Sequence, residues 1–225
     1  KDSGCVRCIV HGISSTSASV VAFSGQQYAT SGTPYNYFAN CIVYDLFVHK
    51  SGGSGISAIG FDISGGRGSE GYNCTAHDGT SGRPGTDLAY GFLLNNGTKV
   101  LKNCLATDWA DADISGTTTG DDEYNATSDA TAVGTGSLTN ITTADQYVST
   151  TVGAEDLHLK AGSDCIDAGT DLGTTPTGVN IDIDGRDRDA EGDTWDISAY
   201  EFVAGSSFQP AWAGSSNTIL GGGTL

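Results

Sequence analysis

The chain lacks methionine altogether and has 4 prolines and only 10 lysines and arginines in 225 residues. Against 27 acidic side chains those cations leave a net charge of −17. That argues against nucleic acid as a partner, because Lys and Arg must neutralise phosphates there. It also disfavours anionic polysaccharides unless divalent cations bridge the two surfaces. No run is long and apolar enough to cross a bilayer, so no membrane insertion is expected. Apolar residues at i, i+3, i+4 and i+7 are missing as well, which removes extended amphipathic helices. HExxH and G-x-S-x-G are both absent, and with them the usual zinc-protease and serine-hydrolase signatures.

What is present is glycine, 33 of them, with short β-branched and aromatic runs bounded by Gly, Ser, Asn and Asp. That composition predicts an all-β protein. Four segments then align: "VRCIVHG", "ANCIVYD", "YNCTAHD" and "KNCLATD", anchored on Cys8, Cys41, Cys74 and Cys104. The anchors lie 33, 33 and 30 residues apart, and "YNATSD" reads as a fifth copy with Ala126 in the cysteine place. Second apolar strands, "SVVAFSG", "GISAIGFDIS" and "LAYGFLLNNG", stand between anchors. One such unit cannot bury its own apolar face, whereas stacked units bury a continuous core.

The repeat therefore predicts a right-handed parallel β-helix, a solenoid whose equivalent residues form ladders about 4.8 Å apart. Cys8, Cys41, Cys74 and Cys104 form an inward ladder of small thiols. Asn40, Asn73, Asn103 and Asn125 form a corner ladder, each amide bonding the next. Cys5-x-x-Cys8 has no second pair at zinc spacing and no βαβ context for redox chemistry. Equivalent placement favours core thiols, which leaves Cys5 and Cys165 open. Residues 1–130 are assigned to the coils, 131–202 to the last coil and a C-terminal cap, and 203–225 to a Gly/Ser-rich tail.

Three places after each ladder cysteine stand His11, Tyr44, His77 and Thr107, and one place further Gly12, Asp45, Asp78 and Asp108. Stacking would bring the Asp carboxylates to roughly 5 Å, a separation that suits a retaining glycosidase. His77 would then be an acid–base group and Trp109 a sugar platform. The competing and stronger reading is a repeated turn, since Asp bends a chain leaving a strand. "NIDIDGRDRDAE" raises a similar choice. Asn180, Asp182, Asp184 and Glu191 fit the ligand spacing of a calcium loop, with Gly185 in place. However, the alternation of Val179, Ile181 and Ile183 with polar residues is that of a half-buried strand. Calcium is the one cofactor the sequence suggests, and none is required.

"LHLKAGSDCIDAGT", "DIDGRDR" and "WDISAYEF" resemble the closing segment of a group of right-handed β-helix proteins that are secreted, surface-attached or phage-encoded. These are the choice-of-anchor type, whose helix ends in "hL..gSpcIDaG", "DlDG..R" and "DIGAyE". The resemblance runs from "LKNC" to Phe202 and departs at Ser198, where the family has Gly. It implies the fold and an extracellular or virion setting, but no reaction. It also implies that Arg186 or Arg188 meets Asp196 or Glu201, and that His158 packs within the cap.

In the tail, Phe208 and Trp212 stand alone among small residues, as in an arm that docks on a neighbour. The first coil leaves unpaired backbone, so either upstream sequence or another subunit is expected to cover it. The sequence thus points to a non-catalytic structural or adhesive element outside the cell. It would be a virion surface component (decoration, fibre or spike) or a bacterial cell-surface protein. Its expected partners are copies of itself, with a trimer among the options, neighbouring structural subunits, or a cell-surface glycan. The alternatives are a glycoside hydrolase using Asp45, Asp78 and Asp108, or a calcium-dependent glycan-binding module.

Overall fold

The computed structural model describes residues 3–25, 36–64, 69–95, 100–117, 121–190 and 194–204. It is nearly all-β, with 44% strand and 4% helix. Strands recur in threes. The first unit holds β1 (Ser3–Val6), β2 (Ile9–Ser15) and β3 (Val20–Ser24). The second holds β4 (Asn36–Ala39), β5 (Ile42–Val48) and β6 (Ser57–Asp62), and the third β7 (Ser69–Tyr72), β8 (Thr75–Ser81) and β9 (Leu88–Leu94). β10 (Val100–Lys102), β11 (Leu105–Trp109) and β12 (Ala112–Gly116) make the fourth, and β13 (Ala126–Thr127) comes next. Each strand pairs in parallel with its counterpart one unit on, giving sheets β1-β4-β7-β10, β2-β5-β8-β11-β13 and β3-β6-β9-β12.

The units keep their register because the same corner recurs in each. Arg7, Asn40, Asn73 and Asn103 all adopt positive φ, between 48° and 55°. Asn tolerates this left-handed region better than most residues. Their backbone N–H groups donate to Ala39, Tyr72, Lys102 and Glu123, one unit further along. The thiols behind the corner answer a local need. Cys8, Cys41, Cys74 and Cys104 each place Sγ 3.3–3.6 Å from the carbonyl two residues back. All six cysteines are free.

A second core ladder comes from the third sheet. Phe23, Phe61 and Phe92 stack with centroids 4.7 and 4.8 Å apart and planes within 9°. Trp109 closes the interior against three glycines, since a Cβ on Gly79, Gly60 or Gly91 would run into or crowd its indole. The indole is therefore core, which removes it as a sugar platform.

The fifth copy of the repeat sits one residue away from its expected place. Ala126 pairs with Leu105, so Asn125 stands in the cysteine column and Tyr124, with φ 52°, at the corner. Asn125 belongs there because its amide does more than a thiol can. It accepts from Cys104 N–H and donates to Leu101 and Val133 carbonyls.

After β13 the chain forms one short helical turn, α1 (Thr143–Gln146), and an antiparallel hairpin of β14 (Tyr147–Ser149) and β15 (Asp156–Leu159). The described residues after β15 hold one short 3-10 turn (Arg188–Ala190) and no further strand, and they pack against the outer face of the second sheet. Ile42, Leu105 and Ala126 point outward from that sheet and pack with Tyr147, Leu157, Leu159, Ile197 and Ala199. Val43, Cys74 and Ala106 point inward. From β5 to β13 the second sheet is thus covered on both faces, which is why these strands lack clean alternation, whereas β2 at its edge is largely exposed.

Candidate functional site

The aspartate column is a column of bends. Gly12, Asp45, Asp78 and Asp108 have φ of 65°, 55°, 51° and 61°, each within its strand. The pairing skips these residues, joining Tyr44 to His77 and then Leu46 to Gly79. Glycine in the first unit and aspartate in the next three meet one backbone demand, because both accept the left-handed region. Asp108 is further held by Thr143, whose hydroxyl donates to Oδ1 at 2.8 Å. Burial, together with the Asp45, Asp108 and Glu155 charges, raises the Asp78 carboxyl above the usual range, with His77 pulling the other way.

His77 lies beneath the hairpin, 3% exposed. Its Nδ1 is 2.9 Å from Thr107 Oγ1, which in turn is 3.1 Å from the Tyr147 hydroxyl. The Tyr147 ring crosses the imidazole at 5.3 Å. Burial lowers the His77 pKa against the pull of Asp108, Asp78 and Glu155, so the ring is neutral at pH 7. A general acid must reach its substrate, and this imidazole is covered. Beyond the cover, His11 and Tyr44 stack in parallel at 4.7 Å. Glu155, from the hairpin, faces this region, and after burial its charge helps to hold Tyr44 and Asp78 protonated. Nothing in the sequence ties Glu155 to the column, because the link is a tertiary docking.

In the neighbouring oxygen cluster "DWADAD" the two carboxylates beyond Asp108 are structural as well. Asp111 accepts from Ala89 N–H at 2.7 Å. Asp113 accepts from the N–H groups of Trp109, Ser128 and Asp129 and from the Ser128 hydroxyl, and burial pushes it up to about 6.

No family model, curated protein or solved structure matches this chain. Its site must therefore be judged on its own geometry.

The segment with calcium-loop spacing forms a tight turn, as its apolar alternation suggested. Ile181 bridges Asp187 antiparallel, with Gly185 at φ 89°. Asp182 is fully buried, accepting from Arg186 N–H at 2.7 Å and Glu201 N–H at 3.1 Å. Asp184 Oδ2 lies 2.9 Å from His158 Nε2, and His158 Nδ1 is 2.5 Å from Asp156. Tyr200 packs on the same imidazole at 3.8 Å. Burial works against the His158 charge, but the two carboxylates outweigh it and raise its pKa. Asn180 uses its carbonyl to accept from Arg188 N–H. Glu191 lies outside the described residues, as do Phe208 and Trp212.

Arg188 is the centre of this region. It is fully buried, with Nη1 2.6 Å from Glu201 Oε2 and Nη2 bonded to Ser198 O and Asn40 Oδ1. Trp195 lies over its guanidinium at 5.7 Å. The pairing implied for Arg186 or Arg188 is thus Arg188 with Glu201. The Asn corner receives the same segment. Asn40 donates to Gly178 and Val179 carbonyls, Asn73 to Val179, and Asn103 to Thr170. Only one amide-to-amide bond joins the ladder among the described residues, Asn103 to Asn73 at 3.0 Å. The amides face outward and hold the cap, where the sequence had them bonding each other in turn.

Proposed function

We propose that this chain is a right-handed parallel β-helix that acts as a non-catalytic structural or adhesive element outside the cell. A virion surface component (decoration, fibre or spike) is the first assignment, and a bacterial surface protein the second. The observation that carries the reading is the use made of the polar candidates. Asp45, Asp78 and Asp108 occupy bends, His77 is covered, and Asn40, Asn73, Asn103, Asp182 and Arg188 fasten the cap. The resemblance of the closing segment to surface and phage β-helix proteins supports the same setting.

Six free thiols favour the virion over a secreted protein. Disulfides accumulate in chains that mature in oxidising compartments, whereas a virion subunit folds in the reducing cell interior before release. The proposed mode of action is display, in which the stacked sheets form a stiff rod whose corners carry recognition. Partners would be further copies, as a trimer, or neighbouring structural subunits, with calcium bound at most as an accessory.

A second reading rests on the parallel His11 and Tyr44 rings beside Asp45, an arrangement that suits stacking on a sugar. It makes the chain a glycan-binding module or a glycoside hydrolase. The assay that separates them is release of reducing ends from a polysaccharide panel. The structural reading predicts none. New reducing ends from the wild type, lost in Asp78→Asn, would overturn it.

A further inference from the structure

Besides Arg7 in place of Asn, the first corner differs from the other three at Cys5. Cys5 stands inward on β1 at a place that later units fill with Phe38, Gly71 and Leu101. Packing there asks for no particular residue and certainly not for sulfur. The left-handed Arg7 bend then brings Cys5 and Cys8 to the same interior, and Cys41 enters from the next unit, where Ile42 pairs with Ile9. Ligand atoms of these three residues lie within 4.8 Å of one another, and Cys5 and Cys41 Sγ are 4.0 Å apart. Among the described residues this is the only such group of three or more His, Cys, Asp or Glu.

We propose that Cys5, Cys8 and Cys41 form a three-sulfur site for a soft, thiophilic d10 cation, with Cu(I) as the ion it fits. A planar three-coordinate ion with metal–sulfur bonds of about 2.3 Å needs sulfurs about 4.0 Å apart. One pair already has that separation, and closing the others takes less than about 1 Å. Thiolate sulfur selects Cu(I) and Zn among common ions, but structural zinc takes four protein ligands in a tetrahedron. The described residues supply three. Cys5 and Cys8 are half-buried, whereas Cys41 is fully buried and anchors the set.

Binding is an exchange of protons for metal. Burial and neighbouring thiols hold Cys5 as S–H, and the Cys74 thiol and burial do the same for Cys41. The Cys8 and Cys41 thiols now lie against the carbonyls of Val6 and of Ala39 and Cys5. As Cu⁺ enters, each sulfur that becomes a thiolate gives its proton to solvent, no electron moves, and affinity rises with pH. The bound ion ties the first unit to the second, so it stabilises the folded state over the unfolded one.

The test uses the full chain, reduced and kept anaerobic, titrated with Cu(I) in competition with a chromophoric Cu(I) chelator. The expected result is one Cu(I) per chain, an ultraviolet thiolate-to-copper band, and a higher unfolding temperature. Cys5→Ser and Cys8→Ser should each weaken binding by on the order of 100-fold, since a three-coordinate site loses a ligand. Cys165→Ser, in the other apolar cluster, should leave it unchanged. Circular dichroism of the apo variants checks that they fold. Equal binding by Cys5→Ser, or copper that lowers the unfolding temperature, would overturn the proposal. So would one tightly held Zn(II) without Cu(I), because that ion needs a fourth donor.

Discussion

Replacing Arg188 by Met should detach the cap. The guanidinium has no exposed surface and makes hydrogen bonds to Glu201, Ser198 and Asn40. Met fills most of the stem but leaves the Glu201 carboxylate buried with only the Asp196 N–H, at 3.2 Å, as a described partner. The Ser198 carbonyl and Asn40 Oδ1 lose the same donor. Breaking a buried ion pair from one side costs about 3–5 kcal/mol. In a chain of this size each kcal/mol moves the midpoint by roughly 2–4 °C, so the unfolding temperature should fall by about 6–20 °C. Removing both charges is far less harmful than removing one, so Arg188→Met with Glu201→Gln should recover much of the loss. Calorimetry at pH 8 gives the midpoint, and tryptophan fluorescence tracks the surroundings of Trp195. A loss below about 1 kcal/mol, or a double variant no better than the single, would refute the claim that this pair holds the cap.

The same contacts lead to three further outcomes. Asp78→Gly should keep stability within about 0.5 kcal/mol, as Gly12 does at the equivalent bend, whereas Asp78→Ala should cost about 1–2 kcal/mol for its left-handed φ; urea denaturation measures both, and equal losses would contradict a turn role. Gly79→Ala should cost about 1–3 kcal/mol because its methyl meets the Trp109 ring, again read by urea denaturation. The cap should be more stable at pH 5.5 than at pH 8. Burial foremost, then repulsion from Asp196 on Glu201 and from Asp167 on Asp196, push Glu201 up to about 7 and Asp196 up to about 6, while Arg188 pulls both down. A carboxyl whose folded pKa is raised contributes stability that is present below its unfolded pKa and lost as pH rises through the folded one. His158, also raised, acts in the same direction, while neutral His77 opposes it below its unfolded pKa near 6.5. Glu201→Gln should flatten the midpoint-versus-pH curve between pH 5.5 and 8, and a steeper curve in that variant would be inconsistent with the assignment.

The parts of the fold legible in the sequence are those set by local rules. Short β-branched runs marked the strands, and Cys8, Cys41, Cys74 and Cys104 marked the period, because the first four corners place the same small thiol against the carbonyl two residues back. Residues that satisfy long-range demands were not legible in the same way. Asn40 bonds Gly178 and Arg188, 138 and 148 residues away, and Asn103 bonds Thr170, 67 residues away. An amide reads identically in a sequence whether it faces its neighbour in the ladder or the cap. The slip at Asn125 has the same origin. The eye aligns Asn with Asn, but the backbone places Tyr124 at the bend and gives the amide to Leu101 and Val133. Trp109 misled for a related reason, since its glycine partners come from different strands. The carboxylates of the Asn180–Asp184 stretch carry a calcium-like spacing, yet Asp182 spends both oxygens on backbone N–H groups.

A structural, assembling role is tested by the solution mass of the full chain, measured by light scattering in calcium and then in EDTA. Such a role predicts a trimer or larger assembly that keeps its mass in EDTA, because Asp182 bonds backbone N–H groups and Arg188 and the Asn corner hold the cap. A stable 23.0 kDa monomer in both conditions would contradict the assembling role, and collapse in EDTA alone would return the Asn180–Glu191 segment to calcium binding.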